Sequence, residues 1–239
     1  MPSQLLLPKE KRNLNTLVQY FKENQKPITL FHRQLLQALR ESNDLSPMVH
    51  SIRERIKDPG HLYGKLKRKL CEAKEAGHQF GITQQNLFTQ INDLAGIRIL
   101  HLRSRQIAQI NPALLKIFRE QRYKLIEKPF ARTWDDESRQ FLKECGIRTE
   151  KSPSLYTSVH YIVESASRTK IRCEIQVRTL MEEVWGEVAH LINYPDQTTN
   201  VAIREQIKVL ARITSSATRL VDSIFLTFDD FKKRGGDSK

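Results

Sequence analysis

Two stretches of the chain, Tyr156–Val163 and Lys170–Val177, alternate between polar and apolar side chains and are joined through the short segment Ser165-Ala-Ser-Arg-Thr169. A period of two on both sides of so short a connection specifies a β-hairpin with antiparallel pairing. The chain must therefore build a sheet, and its other segments must pack around it. Along Cys173–Arg178, successive side chains point to opposite faces, so Glu174, Gln176 and Arg178 share one face and Cys173, Ile175 and Val177 the other. Any half-exposed strand alternates in this way. What adds weight is the preceding strand, where Tyr156, Ser158 and His160 also share a face and, in a paired hairpin, lie beside the first polar set.

The remaining segments predict helices before and after the sheet. Leu14, Leu17, Val18 and Phe21 recur at helical spacing, and so do Phe31, Leu35, Leu36 and Leu39 after a break expected at Pro27. A helical stretch is expected from about Pro47 into Arg55-Ile-Lys57, punctuated by Asp58-Pro-Gly60, with a basic helix from Leu62 to Ala76. Ile97 to Leu102 is short, apolar and β-branched, as a strand in a sheet interior should be. Ile107 to Glu120 reads as helix, Tyr123 to Trp134 as irregular chain with an edge strand, and Asp135 to Pro153 as a mobile loop with a helical piece. Leu180 to Ile192 reads as a helix stopping before Pro195. Asn200 is placed to cap a last helix striped by Ile203, Ile207, Leu210, Leu220 and Ile224, ahead of a disordered Gly235-Gly236 tail. The order predicts an α+β fold, a mixed β-sheet flanked by helices, with a helical segment over 1–50, a core over 51–195 and a C-terminal helix and tail over 196–239.

At 239 residues the chain can bury one substantial core with appendages. No apolar run approaches the ~20 residues of a membrane span, and Leu5 to Leu7, followed by Lys9, Lys11 and Arg12, are too few and in the wrong order for a secretory signal. A soluble, cytoplasmic protein without membrane contact is expected. Cys71, Cys145 and Cys173 lie far apart without C-x-x-C spacing, which points away from zinc and disulfides. Forty Lys and Arg against 27 Asp and Glu give a net charge of +13, which attracts polyanions and leaves nucleotides, RNA and a merely solvated basic surface all open.

A carboxylate at Glu174 can hold a hard cation, an amide at Gln176 can orient a hydroxyl, and the Arg178 guanidinium can neutralise phosphate oxygens. These are the parts of a phosphoryl- or pyrophosphoryl-transfer site. Tyr156 offers a ring for base stacking and His160 a donor to phosphate or ribose; a surface aromatic and a satisfied histidine are the plainer readings. Asp93, just ahead of an apolar strand, suits a second metal ligand or a turn aspartate. Arg55, Lys57 and Lys65 gather cations around a helix start or form a solvated face.

Four motifs in order resemble the synthetase domain of the RelA/SpoT family, the alarmone synthetases. They are Arg55-x-Lys57 with Lys65, Asp93-Leu-Ala-Gly-Ile-Arg98, Glu174-Ile-Gln-Val-Arg-Thr179, and Trp185 followed by His190 and Tyr194. The resemblance spans about Arg55 to Tyr194 and implies a nucleotidyltransferase-like fold that transfers the β,γ-pyrophosphate of ATP to a ribose 3′-hydroxyl. It implies Mg²⁺ on Asp93 and Glu174, with Glu174 also accepting the hydroxyl proton. ATP would bind Arg55, Lys57 and Lys65; the acceptor would meet Tyr156, His160, Gln176 and Arg178. The sequence departs from the family pattern at Leu155, where a glycine is usual, at Thr157, at His61 and at Ala189. The form implied is a small, synthetase-only enzyme making (p)ppGpp from GDP or GTP. The alternatives are a toxic small alarmone synthetase-like enzyme modifying the 3′ end of tRNA, an adenosine-nucleotide acceptor, and an RNA-binding module without chemistry. The C-terminal stripe suits either packing within the monomer or a homo-oligomer interface, and an antitoxin, activator or hydrolase partner is compatible with the same reading.

Overall fold

A computed structural model describes residues 6–152, 155–193 and 197–235. Among these, seven strands form one mixed sheet: β1 (Ser51–Ile56), β2 (Ala95–His101), β3 (Lys124–Leu125), β4 (Phe130–Thr133), β5 (Arg148–Lys151), β6 (Ser158–Glu164) and β7 (Arg172–Thr179). Their order across the sheet is β1-β2-β7-β6-β4-β5, with β3 also pairing β6. The pairs β2/β7 and β4/β5 are parallel and the rest antiparallel. The expected hairpin is present as β6 and β7, with His160 opposite Gln176 and Ile162 opposite Glu174.

Eight α-helices among the described residues surround the sheet: α1 (Pro8–Glu23), α2 (Gln25–Arg40), α3 (Pro59–Glu75), α4 (Leu87–Gln90), α5 (Ile107–Glu120), α6 (Asp136–Glu144), α7 (Leu180–Asn193) and α8 (Val201–Lys233). Leu14, Leu17 and Phe21 of α1, the apolar stripe of α2, and Ile107, Ile110 and Leu114 of α5 join Ile97, Ile99, Cys173, Ile175 and Val177 in one hydrophobic cluster. The N-terminal helices thus share the core of the sheet. Burying that face leaves the opposite face, bearing Glu174, Gln176 and His160, for polar chemistry.

Several local expectations differ from the fold; within 123–134, where an edge strand is expected, β4 is instead paired on both sides by β6 and β5, while the short β3 pairs β6 alone. The break between the first two helices falls at Asn24, and Pro27 sits within the first turn of α2, where a missing N–H costs nothing. Residues 51–56 form an edge strand and not a helix, because Arg53, Glu54 and Arg55 keep their charges at the margin while backbone bonds are met by β2. Within the run expected to be a mobile loop, Arg148–Lys151 form the opposite edge strand beside β4. The expected end of the α7 motif at Tyr194, the stop before Pro195 and the Gly236 tail lie outside the described residues. Helix starts match their capping chemistry: Asp58 accepts from the backbone of Gly60 and His61 at α3, and Asn200 accepts from Ile203 at α8.

Candidate active site

The register places a row of side chains on the face of the sheet opposite the N-terminal helices, part of which α7 covers. Arg53 pairs with Arg98, Arg98 with Gln176, Gln176 with His160, and His160 with Phe130, so the row crosses five strands. One position along, Arg55 is opposite Gly96 and Gly96 opposite Glu174. Asp93 stands two residues before β2, at the same end. Arg53, Arg55, Asp93, Arg98, Glu174 and Gln176 line a cleft of about 220 Å³, which His190 and Glu187 of α7 also border.

Each carboxylate is held in its charged form by defined partners. Lys57 Nζ is 2.7 Å from one oxygen of Asp93 and Lys65 Nζ 2.6 Å from the other. Burial pushes the Asp93 carboxyl up, but the charges and hydrogen bonds of Lys65 and Lys57 overcome it and bring it down to about 2. At Lys57 the balance runs the other way: burial, which lowers the ammonium, outweighs the pull of Asp93. The two trends agree physically, since Asp93 has two cations and Lys57 one carboxylate. Burial, the largest influence, raises the Glu174 carboxyl, but the bond and attraction of His160 together with the charge of Lys65 overcome it and the nearby Asp93, so it too lies below its ordinary value. Its oxygens meet His160 Nδ1 at 3.0 Å and Gln176 Nε2 at 3.0 Å.

On the far side of Glu174 the groups form an aromatic wall. The His160 ring stacks on Phe130 with centroids 5.0 Å apart and planes 9° from parallel. Tyr156 donates to the side-chain oxygen of Gln176 at 3.3 Å and leans on Trp185, with ring centroids 6.2 Å apart. Asp93, Glu174, Arg55 and Gln176 line the cleft, and Lys57, Lys65, His160 and Tyr156 are bonded to these lining groups from behind. Arg178 is placed differently. Only 3% exposed, it lies over the Tyr156 ring and ion-pairs with Glu183 of α7 instead of opening onto the carboxylates. Two buried nitrogens, His160 Nε2 and Arg178 Nε, have no hydrogen-bond partner among the described residues. Buried donors and acceptors rarely stay unpaired in a resting protein, and both of these border Tyr156.

Arg53, Arg98, Glu183 and Glu187 carry no periodic signal that would have singled them out. Arg98 and Arg53 both meet Glu183, at 3.2 and 3.1 Å, and Glu187 also pairs with Arg98. The one hint was Arg98 itself, a charge inside an otherwise apolar strand, which requires a partner.

The donor set fits a magnesium-type cation. Asp93 and Glu174 present hard oxygen donors kept anionic, and no group of three or more His, Cys, Asp or Glu forms a full cage among the described residues. Mg²⁺ is commonly held by one or two carboxylates, with substrate phosphates and water completing its shell.

A model of the region found in RelA/SpoT proteins matches residues 54–199. Among solved structures, small alarmone synthetase 1 from Bacillus subtilis aligns at 17% identity and a TM-score of 0.60, over 88% of this chain and 98% of its own. A GTP pyrophosphokinase family protein from Streptococcus pneumoniae aligns at 21% identity and a TM-score of 0.56, over 96% and 97%. The Bacillus subtilis enzyme bound to its product pppGpp aligns at 16% identity and a TM-score of 0.55, over 91% and 99%. No curated protein matches the chain in sequence. Identities this low establish the fold, a mixed sheet flanked by helices of the same kind.

Proposed function

Since the chain belongs to the RelA/SpoT family, we propose that it transfers the β,γ-pyrophosphate of ATP to the ribose 3′-hydroxyl of GDP or GTP, giving (p)ppGpp. The observation that carries this reading is the convergence of Asp93 and Glu174, both anionic, on one cleft bordered by Arg55. Such transfer needs charge neutralisation and in-line placement more than an elaborate nucleophile.

Asp93 and Glu174 would hold Mg²⁺, which when bound supplies charge neutralisation at the transferred oxygens. Lys57 and Lys65, now the counter-ions of Asp93, would bind the donor phosphates. Arg55 is opposite Gly96, with its side chain 3.7 Å from where a Cβ of residue 96 would stand, and would meet the adenine from there. The Glu174 carboxylate takes the proton from the 3′-hydroxyl, while His160 Nδ1 and Gln176 Nε2 fix its two oxygens. Tyr156 supplies the surface for the acceptor base, with the unpartnered His160 Nε2 and the Arg178 Nε–H donor beside its ring.

A second reading takes tRNA as acceptor, favoured by the net charge of +13 and by the basic run Lys65 to Lys69 on α3. The two separate by experiment. ATP labelled at the γ-phosphate is offered GDP, GTP, ATP or deacylated tRNA. Label on GDP or GTP supports the first reading. Label on tRNA alone, with activity falling steeply as salt rises, replaces it with the second.

A further inference from the structure

Three arginines from three strands converge on one carboxylate. Glu183, only 4% exposed on α7, places one oxygen 3.1 Å from Arg53 Nη1 of β1 and 3.2 Å from Arg98 Nη1 of β2, and pairs its other oxygen with Arg178 of β7. Removing one member of such a buried group leaves uncompensated charge behind. The partners serve opposite ends of the cleft. Arg98 lines it beside Arg55 and Glu174, where the donor is assigned. Arg178 lies 5.6 Å from the centroid of the Tyr156 ring, where the acceptor base is assigned.

Each end also has a contact of its own. Glu187 meets Arg98 and Arg53 but is not paired with Arg178. Gly186 faces Arg178, whose Nη1 would be 2.6 Å from a Cβ at that position. Helix α7 therefore touches the donor end through Glu187, the acceptor end through Gly186, and both through Glu183.

We propose that Glu183 is the positioning residue that sets the donor and acceptor halves of the cleft relative to each other. The proposal rests on the pyrophosphokinase reading above. Glu183 does not border the cleft and touches no reacting atom, so it acts through Arg98 on the donor and through Arg178 and Tyr156 on the acceptor. Its charge, more than its volume, does this, because one carboxylate orients three cations that would otherwise repel each other.

The test is a set of variants read by separate KM values for ATP and for the nucleotide acceptor, with thermal melting as the control for folding. Glu183→Gln, which keeps the shape and removes the charge, is expected to raise both KM values about tenfold, about 1.4 kcal/mol each. Glu183→Asp is expected to recover part of the loss. Glu187→Gln should raise the ATP value alone, and Gly186→Ala the acceptor value alone. A Glu183→Gln protein that melts lower with both KM values unchanged overturns the proposal, as does an effect on one substrate only. If Glu183→Gln does not fold, the selectivity of the other two variants decides, and a crossed or equal effect of either overturns it. Equilibrium binding of a methylene analogue of ATP separates this failure from that of the activity itself. In a protein without transferase activity, weaker binding in Glu183→Gln and Glu187→Gln but not in Gly186→Ala still supports the positioning role, and uniform binding overturns it.

Discussion

The Arg178 guanidinium fills the space that a side chain at residue 186 would need: a Cβ on Gly186 would lie 2.6 Å from Arg178 Nη1. Arg178 cannot simply swing aside, since it is buried and bound to Glu183. Gly186→Ala should therefore cost roughly 1–3 kcal/mol of stability, the range for overpacking a filled interior. Chemical denaturation checks this, and a loss within 0.3 kcal/mol or so of zero would show that Arg178 has room to move.

Asp93→Asn and Glu174→Gln remove charge with little change of volume. Each is expected to lower turnover at least about 100-fold, the scale on which electrostatic groups at a transferring centre act. Steady-state kinetics with saturating ATP checks it. Asp93→Asn should also leave Lys57, buried beside Lys65, without its counter-ion, so this variant should melt lower than Glu174→Gln.

The cap of α3 links a local rule to the site. Asp58 accepts two backbone bonds at the start of the helix that carries Lys65. Asp58→Ala should cost about 1 kcal/mol and loosen Lys65, raising the KM for ATP while leaving that for the acceptor unchanged. Denaturation and the two KM values together decide it.

A pH effect is expected away from the cleft. Burial pushes the Glu182 carboxyl up to about 7, against the pull of its Thr179 hydrogen bonds and Arg178, with Asp222 adding to the rise. The carboxyl is enclosed although the residue as a whole is half-buried. A carboxyl raised on folding favours the folded state most at low pH, and that advantage is lost as pH climbs from about 4.5 through 7. Glu182→Gln should thus stabilise the protein at pH 8 by about 1 kcal/mol or more, a value discounted for partial exposure, and change little at pH 5. Melting curves at the two pH values check it; equal shifts would contradict the burial of this group.

Much of the fold was legible because its signals are local. The β6/β7 alternation specified both partners of a hairpin and the face on which Glu174, Gln176 and His160 meet, and Ile107–Glu120 is helical over the span its apolar spacing marks. β1 and β5 were illegible because they are charged edge strands whose identity comes from pairing with a neighbour, not from their own period. The same holds at the site. Motif spacing drew attention to Asp93 and Glu174, but the carboxylate of Glu183 meets arginines 130 and 85 residues away, a relationship no window of sequence contains. Arg178 shows the limit of face-counting: it shares the strand face of Glu174, yet α7 covers it there.

Transfer of a pyrophosphoryl group at the carboxylate cleft is reported by the nucleotide left behind. With ATP labelled at both the β- and γ-phosphates and incubated with GDP or GTP, AMP should form in step with an acceptor carrying both labels, and Asp93→Asn should abolish both. ADP as the leaving nucleotide, acceptor carrying the γ-label alone, or undiminished transfer in Asp93→Asn would contradict it.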